Sequence, residues 1–182
     1  QVQRVIPNDS FYFSIIRDPG TLGESAFSYF RSASPAFRRS PSLDAFLASP
    51  SRFFRPGLRG NHYARNLQWF DFGLPDPVPP ESVPILLEKL ERVFPLVLLA
   101  ERFDESLVLL RHRLCWPSSA LDLFPHNSRI PELPPSPLRV RRLRLWNSLD
   151  WALYSHFNRS FWRQARRFGE ARLKREAEEV RR

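Results

Sequence analysis

The stretch FYFSIIRDPGTLGESAF, residues 11–27, decides the fold class of this chain. Its first six residues are aromatic or β-branched apart from one serine, a composition typical of a β-strand. Asp18 and Pro19 follow, and this pair indicates a helix start, with aspartate as the N-cap and proline in the first turn. Apolar residues then recur at helical spacing as far as residue 32. Residues 11–32 therefore predict a strand, a tight turn and a helix.

A second segment repeats this order farther along the chain. Residues 83–94 predict an amphipathic helix, and residues 95–100 form a short continuous apolar run, which indicates a strand buried on both faces. Another helix is predicted over residues 107–114, after the acidic residues Asp104 and Glu105. Strands that alternate with helices predict an α/β fold in which helices flank a parallel sheet.

Segments of unusual composition separate these elements. Prolines concentrate in residues 74–84 and 131–137, which predict two stiff links. Residues 33–66, rich in serine, proline and arginine, predict a long, partly ordered connection with one short amphipathic segment around residues 43–47. Residues 145–182 predict C-terminal helices that are interrupted at Gly169.

Charge and composition exclude several classes of protein. The 182 residues carry 28 basic and 19 acidic side chains, a net charge of +9, and 26 of the basic residues are arginines. Residues 138–182 alone hold 13 basic and 5 acidic residues. A hydrophobic fraction of 42% excludes a disordered tail, and without a run of 18 apolar residues no transmembrane helix is expected within this sequence.

Cysteine and histidine content argues against two kinds of site. Cys115 is the single cysteine, so the sequence excludes an internal disulfide and a cysteine-based zinc site. His112, His126 and His156 stand at spacings that match no metal-binding motif. We therefore predict no metal site.

The first strand–helix unit places Arg17 at the carboxyl end of a strand and Ser25 eight residues later. Ligands bind outside the carboxyl ends of strands in open α/β sheets. A guanidinium can hold a phosphate through two hydrogen bonds, a serine hydroxyl can add a third, and a helix start adds partial positive charge. The alternative is that Arg17 pairs with a surface carboxylate and Ser25 has no ligand role.

The Arg17-Asp18-Pro19 segment with Ser25 resembles the 3′-phosphate-binding segment of sulfotransferases that use 3′-phosphoadenosine 5′-phosphosulfate (PAPS). From about Phe13 to Arg175 the chain is similar to one branch of them, the galactose-3-O-sulfotransferases of the Golgi. The blocks that carry the resemblance are RDP (17–19), ESAF (24–27), NHYARN (61–66), FDFG (70–73), LLAERFDESLVLL (98–110), LCW (114–116), WNSLD (146–150), LY (153–154) and HFNRSFW (156–162).

The resemblance implies a P-loop-like, PAPS-dependent sulfotransferase fold and a metal-free reaction. The sulfuryl group of PAPS would pass to the 3-hydroxyl of a terminal β-galactose on a glycolipid or glycoprotein. Arg17 and Ser25 would bind the 3′-phosphate of PAPS. The resemblance also implies the lumenal domain of a single-pass type II Golgi membrane protein.

The chain departs from the family pattern in what it does not contain. The sequence has no methionine, no membrane anchor and no lysine-containing loop for the 5′-phosphosulfate, and the family's catalytic base is expected in the same absent region. We therefore expect residues 1–182 to be one partial sulfotransferase domain without its N-terminal part, and inactive alone. Cys115 is expected to be either buried and inert or paired with a cysteine of that part.

Other polar residues are weaker candidates. Glu101, at the end of the second strand, and His62 are candidates for the catalytic base; the alternatives are that Glu101 forms an ion pair and Asp104 caps a helix. Polar residues of two matching blocks can line the acceptor or nucleotide pocket, or satisfy backbone groups instead: Arg65, Asn66 and Asp71. Asn8 and Asn158 begin N-glycosylation sequons, which suits a lumenal protein.

Two further functions stay open. A non-catalytic protein derived from such an enzyme would bind a glycan or a partner without transferring sulfate. A basic nucleic-acid-binding domain would use the C-terminal aromatic residues and arginines, although phenylalanines at helical spacing first indicate a core face. The galactoside acceptor and the oligomeric state also stay open.

Overall fold

The computed structural model describes residue 7, residues 9–121 and residues 136–180. The strands are β1 (Phe13–Ile16) and β2 (Leu96–Leu99). The helices are α1 (Pro19–Tyr29), α2 (Pro35–Arg39), α3 (Leu43–Ala48), α4 (Pro50–Phe53), α5 (Leu67–Asp71), α6 (Ser82–Val93), α7 (Phe103–Arg113), α8 (Pro137–Trp146), α9 (Ser148–Phe168) and α10 (Glu170–Val180). Asn8, His126 and residues 131–135 lie outside the described residues. Within the described ranges, no helix is long and apolar enough to span a membrane.

β1 and β2 form a parallel pair, which confirms the α/β prediction at the level of fold class. Their register runs from Phe13 opposite Leu96 to Ile16 opposite Leu99. All four β2 residues are buried, as the continuous apolar run predicted. On β1, by contrast, Phe13 and Ile15 are 44% and 47% exposed. In the described part of the chain the sheet consists of these two strands.

The chain, predicted as one partial domain, divides into two compact units. The first contains Gln1–Ile16, Pro84–Asn127 and Phe157–Arg182, and the second contains Arg17–Val83 and Ser128–His156. In the first unit α7 packs against both β2 and α10. Hydrophobic residues of β2, α7 and the second half of α9 are buried there.

One carboxylate joins the C-terminal helix to α7 within the first unit. The Glu176 carboxylate of α10 accepts hydrogen bonds from Arg111 and from Arg172 Nε, the latter at 2.7 Å. It also lies 2.6 Å from His112 Nε2. Burial raises the pKa of the Glu176 carboxyl, but the hydrogen bonds from His112 and Arg172 outweigh this effect and lower it. The predicted break at Gly169 is confirmed, since that glycine has a φ of +100° between α9 and α10.

Residues 33–66 contain more regular structure than predicted, although the amphipathic segment around residues 43–47 is confirmed as α3. Three short helices, α2 to α4, and a 3₁₀ turn at Asn61–Ala64 occupy this segment. Prolines stand in the first turn of α2 and α4, and the Ser42 hydroxyl caps α3 by accepting from the Ala45 N–H at 3.1 Å. Helices this short are not stable alone. They form because residues such as Phe37 and Phe46 are buried in the core of the second unit.

Helix boundaries differ modestly from the predicted ones. α1 begins at Pro19, and Asp18 is its N-cap, as predicted. α6 begins at Ser82, inside the segment 74–84 that predicted a link. Asp104 lies in the first turn of α7 and does not cap it, because the residue at the N-cap is Arg102.

Candidate functional site

Arg17 follows β1 directly, and one side chain holds its backbone. The Arg17 N–H donates to Gln68 Oε1 at 2.6 Å, and the Arg17 carbonyl accepts from Gln68 Nε2 at 2.8 Å. The primary amide of Gln68 thus bonds to the donor and the acceptor of the same residue. This pair of bonds, called here the Gln68–Arg17 pair, fixes the backbone where the chain leaves the strand.

One nitrogen of the Arg17 guanidinium, Nε, is hydrogen-bonded within the protein, and its two Nη nitrogens are further donors. Its Nε donates to Thr21 Oγ1 at 3.1 Å, and the Thr21 hydroxyl donates to the Asp18 carbonyl at 3.1 Å. The neighbouring Asp18 carboxylate forms an ion pair with Arg144, which donates to both carboxylate oxygens. Among the described residues no carboxylate pairs with Arg17. The two Nη nitrogens are therefore suited to an anion from outside the chain.

Ser25 lies one helical turn beyond Thr21. Residues four apart share a face of an α-helix, so the Thr21 and Ser25 hydroxyls follow one another along α1. Ser25 is exposed, and its hydroxyl has no protein partner within the described ranges. Arg17 and Ser25 thus keep donor groups for a ligand, whereas the Thr21 hydroxyl is already used between Arg17 Nε and the Asp18 carbonyl. The sequence prediction did not include Thr21, whose role is to hold the Arg17 Nε.

The start of α1 contributes less than the sequence suggested. The Asp18 carboxylate accepts from the Gly20 N–H at 2.7 Å, and the Asp18 carbonyl accepts from the N–H groups of Thr21 and Leu22. These three donors are already used inside the protein. An anion at this place would therefore be bound by side chains, with the helix dipole as a secondary contribution.

Asp150 of α9 supports the helix that carries Gln68. Its carboxylate accepts from the Trp69 N–H at 2.8 Å and from the Gln68 N–H at 3.3 Å, and so caps α5 from a distant part of the sequence. The residue is 1% exposed, and burial raises the pKa of its carboxyl to about 7, against the opposing effect of the two backbone hydrogen bonds. Sequence reasoning quoted Asp150 in a matching block but gave it no role.

Asn66 belongs to the same support and not to an open pocket. Its N–H donates to Asn147 Oδ1 at 2.8 Å, its side-chain oxygen accepts from the Leu149 N–H, and its side-chain nitrogen donates to Asp76. It is 1% exposed, with a left-handed φ of +50° that asparagine tolerates better than most residues. These contacts argue against the predicted ligand role of Asn66 and assign it a structural one.

The other site residues predicted from the NHYARN and FDFG blocks have partners other than Arg17. The Arg65 guanidinium carbon lies 5.0 Å from the ring centroid of Trp146, an arrangement that favours cation–π attraction. The His62 ring stacks on Phe70 with centroids 4.1 Å apart. Asp71 is exposed, and partial burial of its carboxyl raises its pKa while the His62 charge opposes the rise.

Glu101 belongs to the first unit, whereas Arg17 and Ser25 belong to the second. It lies in the 3₁₀ turn Ala100–Arg102, which directly follows the carboxyl end of β2, and it is exposed. Cys115 is exposed and has a φ of +54°, so the buried alternative for this thiol was wrong. In the part of the chain that the structure describes, no three potential ligands come together to hold a metal ion.

The sequon at Asn158 does not lie in a surface loop. Asn158 lies in the interior of α9 and is half-buried. The hydroxyl of Ser160, which completes the sequon, is buried and donates to Glu91 Oε1 at 2.5 Å. Since glycosylation requires an accessible segment, this placement argues against a glycan at Asn158.

Comparison with known proteins agrees with the resemblance found in the sequence. A family model described as galactose-3-O-sulfotransferase matches residues 1–182. The chain is 49% identical to human galactose-3-O-sulfotransferase 2 over 100% of this chain and 47% of that protein. It is 40% identical to human galactose-3-O-sulfotransferase 4 over 100% of this chain and 52% of that protein.

A third relative is named after a glycolipid. The chain is 42% identical to mouse galactosylceramide sulfotransferase over 100% of this chain and 44% of that protein. It thus spans about half the length of the curated relatives that it matches. No solved structure matches it. The family model covers the entire sequence, and on this ground the chain is a member of the galactose-3-O-sulfotransferase family.

Proposed function

We propose that this chain is the part of a PAPS-dependent galactose 3-O-sulfotransferase that binds the 3′-phosphate of the donor, with Arg17 and Ser25 as the phosphate ligands. The proposal rests on which groups pair with Arg17 and with its neighbour Asp18. Its Nε is held by Thr21, its acidic neighbour Asp18 is taken by Arg144, and its Nη nitrogens face no carboxylate among the described residues. A phosphate supplies the acceptor oxygens that such a guanidinium needs.

The relatives are named for sulfotransfer to galactose, and the reaction that we propose for the whole protein adds a donor and an acceptor. PAPS supplies an activated sulfuryl group, and the acceptor is the 3-hydroxyl of a terminal β-galactose on a glycolipid or glycoprotein. The residues of this chain bind and orient the nucleotide, and precise positioning is a large part of catalysis in group transfer. The parallel β1–β2 pair fits a P-loop-like sheet, and a Golgi lumenal location follows as part of the same proposal.

A sugar hydroxyl needs a proton acceptor as it attacks. The two proposed candidates for this base are Glu101 and His62. Glu101 is exposed directly after the carboxyl end of a strand, whereas the His62 ring is stacked on Phe70 and tilted against Tyr63.

Isothermal titration with adenosine 3′,5′-bisphosphate tests the phosphate site. We expect Arg17→Ala to weaken binding roughly 100-fold, because hydrogen bonds to charged groups contribute about 1.5–3 kcal/mol each. We expect Ser25→Ala to weaken it less, by roughly tenfold, because its hydroxyl donates a single hydrogen bond to the charged phosphate, at the lower end of the same range of about 1.5–3 kcal/mol.

Arg141→Ala is the matched control for this titration. Arg141 is an exposed arginine of the same unit, and it has no ion pair among the described residues. Its removal changes the net charge by the same amount as Arg17→Ala. Equal affinities for Arg17→Ala, Arg141→Ala and the unchanged chain would overturn the assignment of Arg17.

A further inference from the structure

We propose that Gln68 is the positioning residue for Arg17: its side-chain amide sets the backbone from which the guanidinium reaches the 3′-phosphate. This inference rests on the proposed function of Arg17. The resemblance to known sulfotransferases includes neither Gln68 nor a role for it, since the residue lies between two of the matching blocks.

The Gln68–Arg17 pair has a geometry that defines the backbone at Arg17. Arg17 is the first residue beyond β1, where backbone groups lose the partners that a strand provides. Both of its backbone groups nevertheless have a partner, at 2.6 and 2.8 Å, and both partners are on one amide. An amide can satisfy a donor and an acceptor of one residue only in a single orientation, so the pair defines the direction of the chain at Arg17.

Gln68 is itself held in place by its surroundings. It is 8% exposed, and its own N–H donates to the buried Asp150 carboxylate. α5 has only five residues and depends on such a cap. A continuous path of hydrogen bonds therefore runs from α9 through Asp150 and Gln68 to Arg17, all within the second unit.

Gln68 and Thr21 hold different parts of Arg17. Gln68 fixes its backbone, and Thr21 fixes its Nε, so the side chain loses much of its freedom before any ligand arrives. An arginine that is ordered in advance loses less entropy on binding. Without the amide of Gln68 the guanidinium would retain its charge but would sample more positions, and affinity for a phosphate would fall.

The test uses two probes, adenosine 3′,5′-bisphosphate and adenosine 5′-monophosphate, and two variants, Gln68→Leu and Gln164→Leu. Gln164 is the matched control, because its amide also donates to a backbone carbonyl, that of Pro95 at 3.2 Å, within the other unit. We expect Gln68→Leu to weaken the bisphosphate about tenfold and to leave the monophosphate unchanged. We expect Gln164→Leu to change neither affinity.

Gln68→Glu gives a sharper, pH-dependent signature. A neutral carboxylic acid can accept from the Arg17 N–H and donate to the Arg17 carbonyl, whereas a carboxylate cannot donate. Relative to the unchanged chain at the same pH, its affinity for the bisphosphate should recover as the pH falls and the introduced acid is protonated. The charged groups near position 68 include Arg17 and Asp150, and also Asp71 and Asp76, which act on Asp150. The comparison at equal pH removes the part of the pH dependence that the variant and the unchanged chain share.

The outcomes separate this inference from the proposed function. If Arg17→Ala binds the bisphosphate as the unchanged chain does, the function of the site is wrong. If Arg17→Ala loses binding but Gln68→Leu and Gln68→Glu retain it at every pH, the positioning role is wrong. Should Gln68→Leu fail to fold, amide exchange of Arg17 in the unchanged chain decides: protection supports the Gln68–Arg17 pair, and exchange as fast as in an unfolded peptide overturns it.

Discussion

At the scale of single residues, Arg17 differs from two other arginines of its unit in its partners. Arg139 pairs with both Glu24 and Asp44, and Arg144 pairs with Asp18. The sequence places Arg17 at the end of a strand, next to an acidic residue that could have neutralised it. That Arg144, 126 positions away, takes this carboxylate instead is a property of the folded chain alone.

Asp150 makes the stability of the protein depend on pH. Burial raises the pKa of its carboxyl from 3.8 to about 7 in the folded state. A folded-state pKa above the unfolded one stabilises the fold at low pH, and this stabilisation is lost as the pH rises through about 7. We expect the free energy of unfolding to fall between about pH 4 and pH 7, by an amount on the order of 4 kcal/mol from this residue.

Urea unfolding at several pH values measures this dependence, with Asp150→Asn as the comparison. The amide cannot ionise, so the contribution of position 150 to the fall between pH 4 and pH 7 should vanish in the variant. A variant whose unfolding free energy varies with pH as that of the unchanged chain does would show that Asp150 is not the responsible group.

At the scale of elements, the contact between α1 and α8 depends on two small residues. A Cβ atom built on Gly20 would lie 2.6 Å from Val140 Cγ1, and one built on Gly23 would overlap the buried Leu143 side chain. The glycines therefore allow α8 to approach α1, the helix that carries Thr21 and Ser25. Neither glycine has a positive φ, so the requirement for them is steric.

Gly23→Ala tests this packing. Alanine favours a helix over glycine by about 1 kcal/mol, but overpacking a buried contact costs about 1–3 kcal/mol. We expect a net loss of stability of about 1 kcal/mol in thermal or urea unfolding. Ser28→Ala, at an exposed position of the same helix, serves as the control and should not be destabilising. A Gly23→Ala variant more stable than the unchanged chain would contradict the steric account.

At the scale of the whole molecule, the net charge of +9 reflects exposed helix faces more than a binding site. Arg166, Arg167 and Arg175 are exposed, and within the described ranges no acidic residue pairs with them. Meanwhile the phenylalanines at 157 and 161 are buried in the core, which removes them from any basic and aromatic nucleic-acid surface. This placement weakens the nucleic-acid alternative.

Changing Arg166, Arg167 and Arg175 together to glutamine lowers the net charge from +9 to +6. We expect earlier elution from heparin or from a cation exchanger, because salt-dependent binding to polyanions scales with the number of cations. The melting temperature and the affinity for adenosine 3′,5′-bisphosphate should remain unchanged. A parallel loss of nucleotide affinity would show that these arginines, and not Arg17 alone, contribute to the site.

The sequence by itself determined the parallel strand pair, the cap and start of α1, and the helical spacing of Ser25, because periodicity and capping are local properties. It also identified the family through blocks spread over most of the chain. Tertiary structure alone decided the rest. The short helices of residues 35–53, the burial of Asn66 and the link from Asp150 through Gln68 to Arg17 depend on contacts between residues far apart in the sequence. Asn66 and Leu149, for example, are 83 positions apart. Such contacts exist only where packing makes them, since no periodic pattern in a sequence encodes which distant amide meets which backbone.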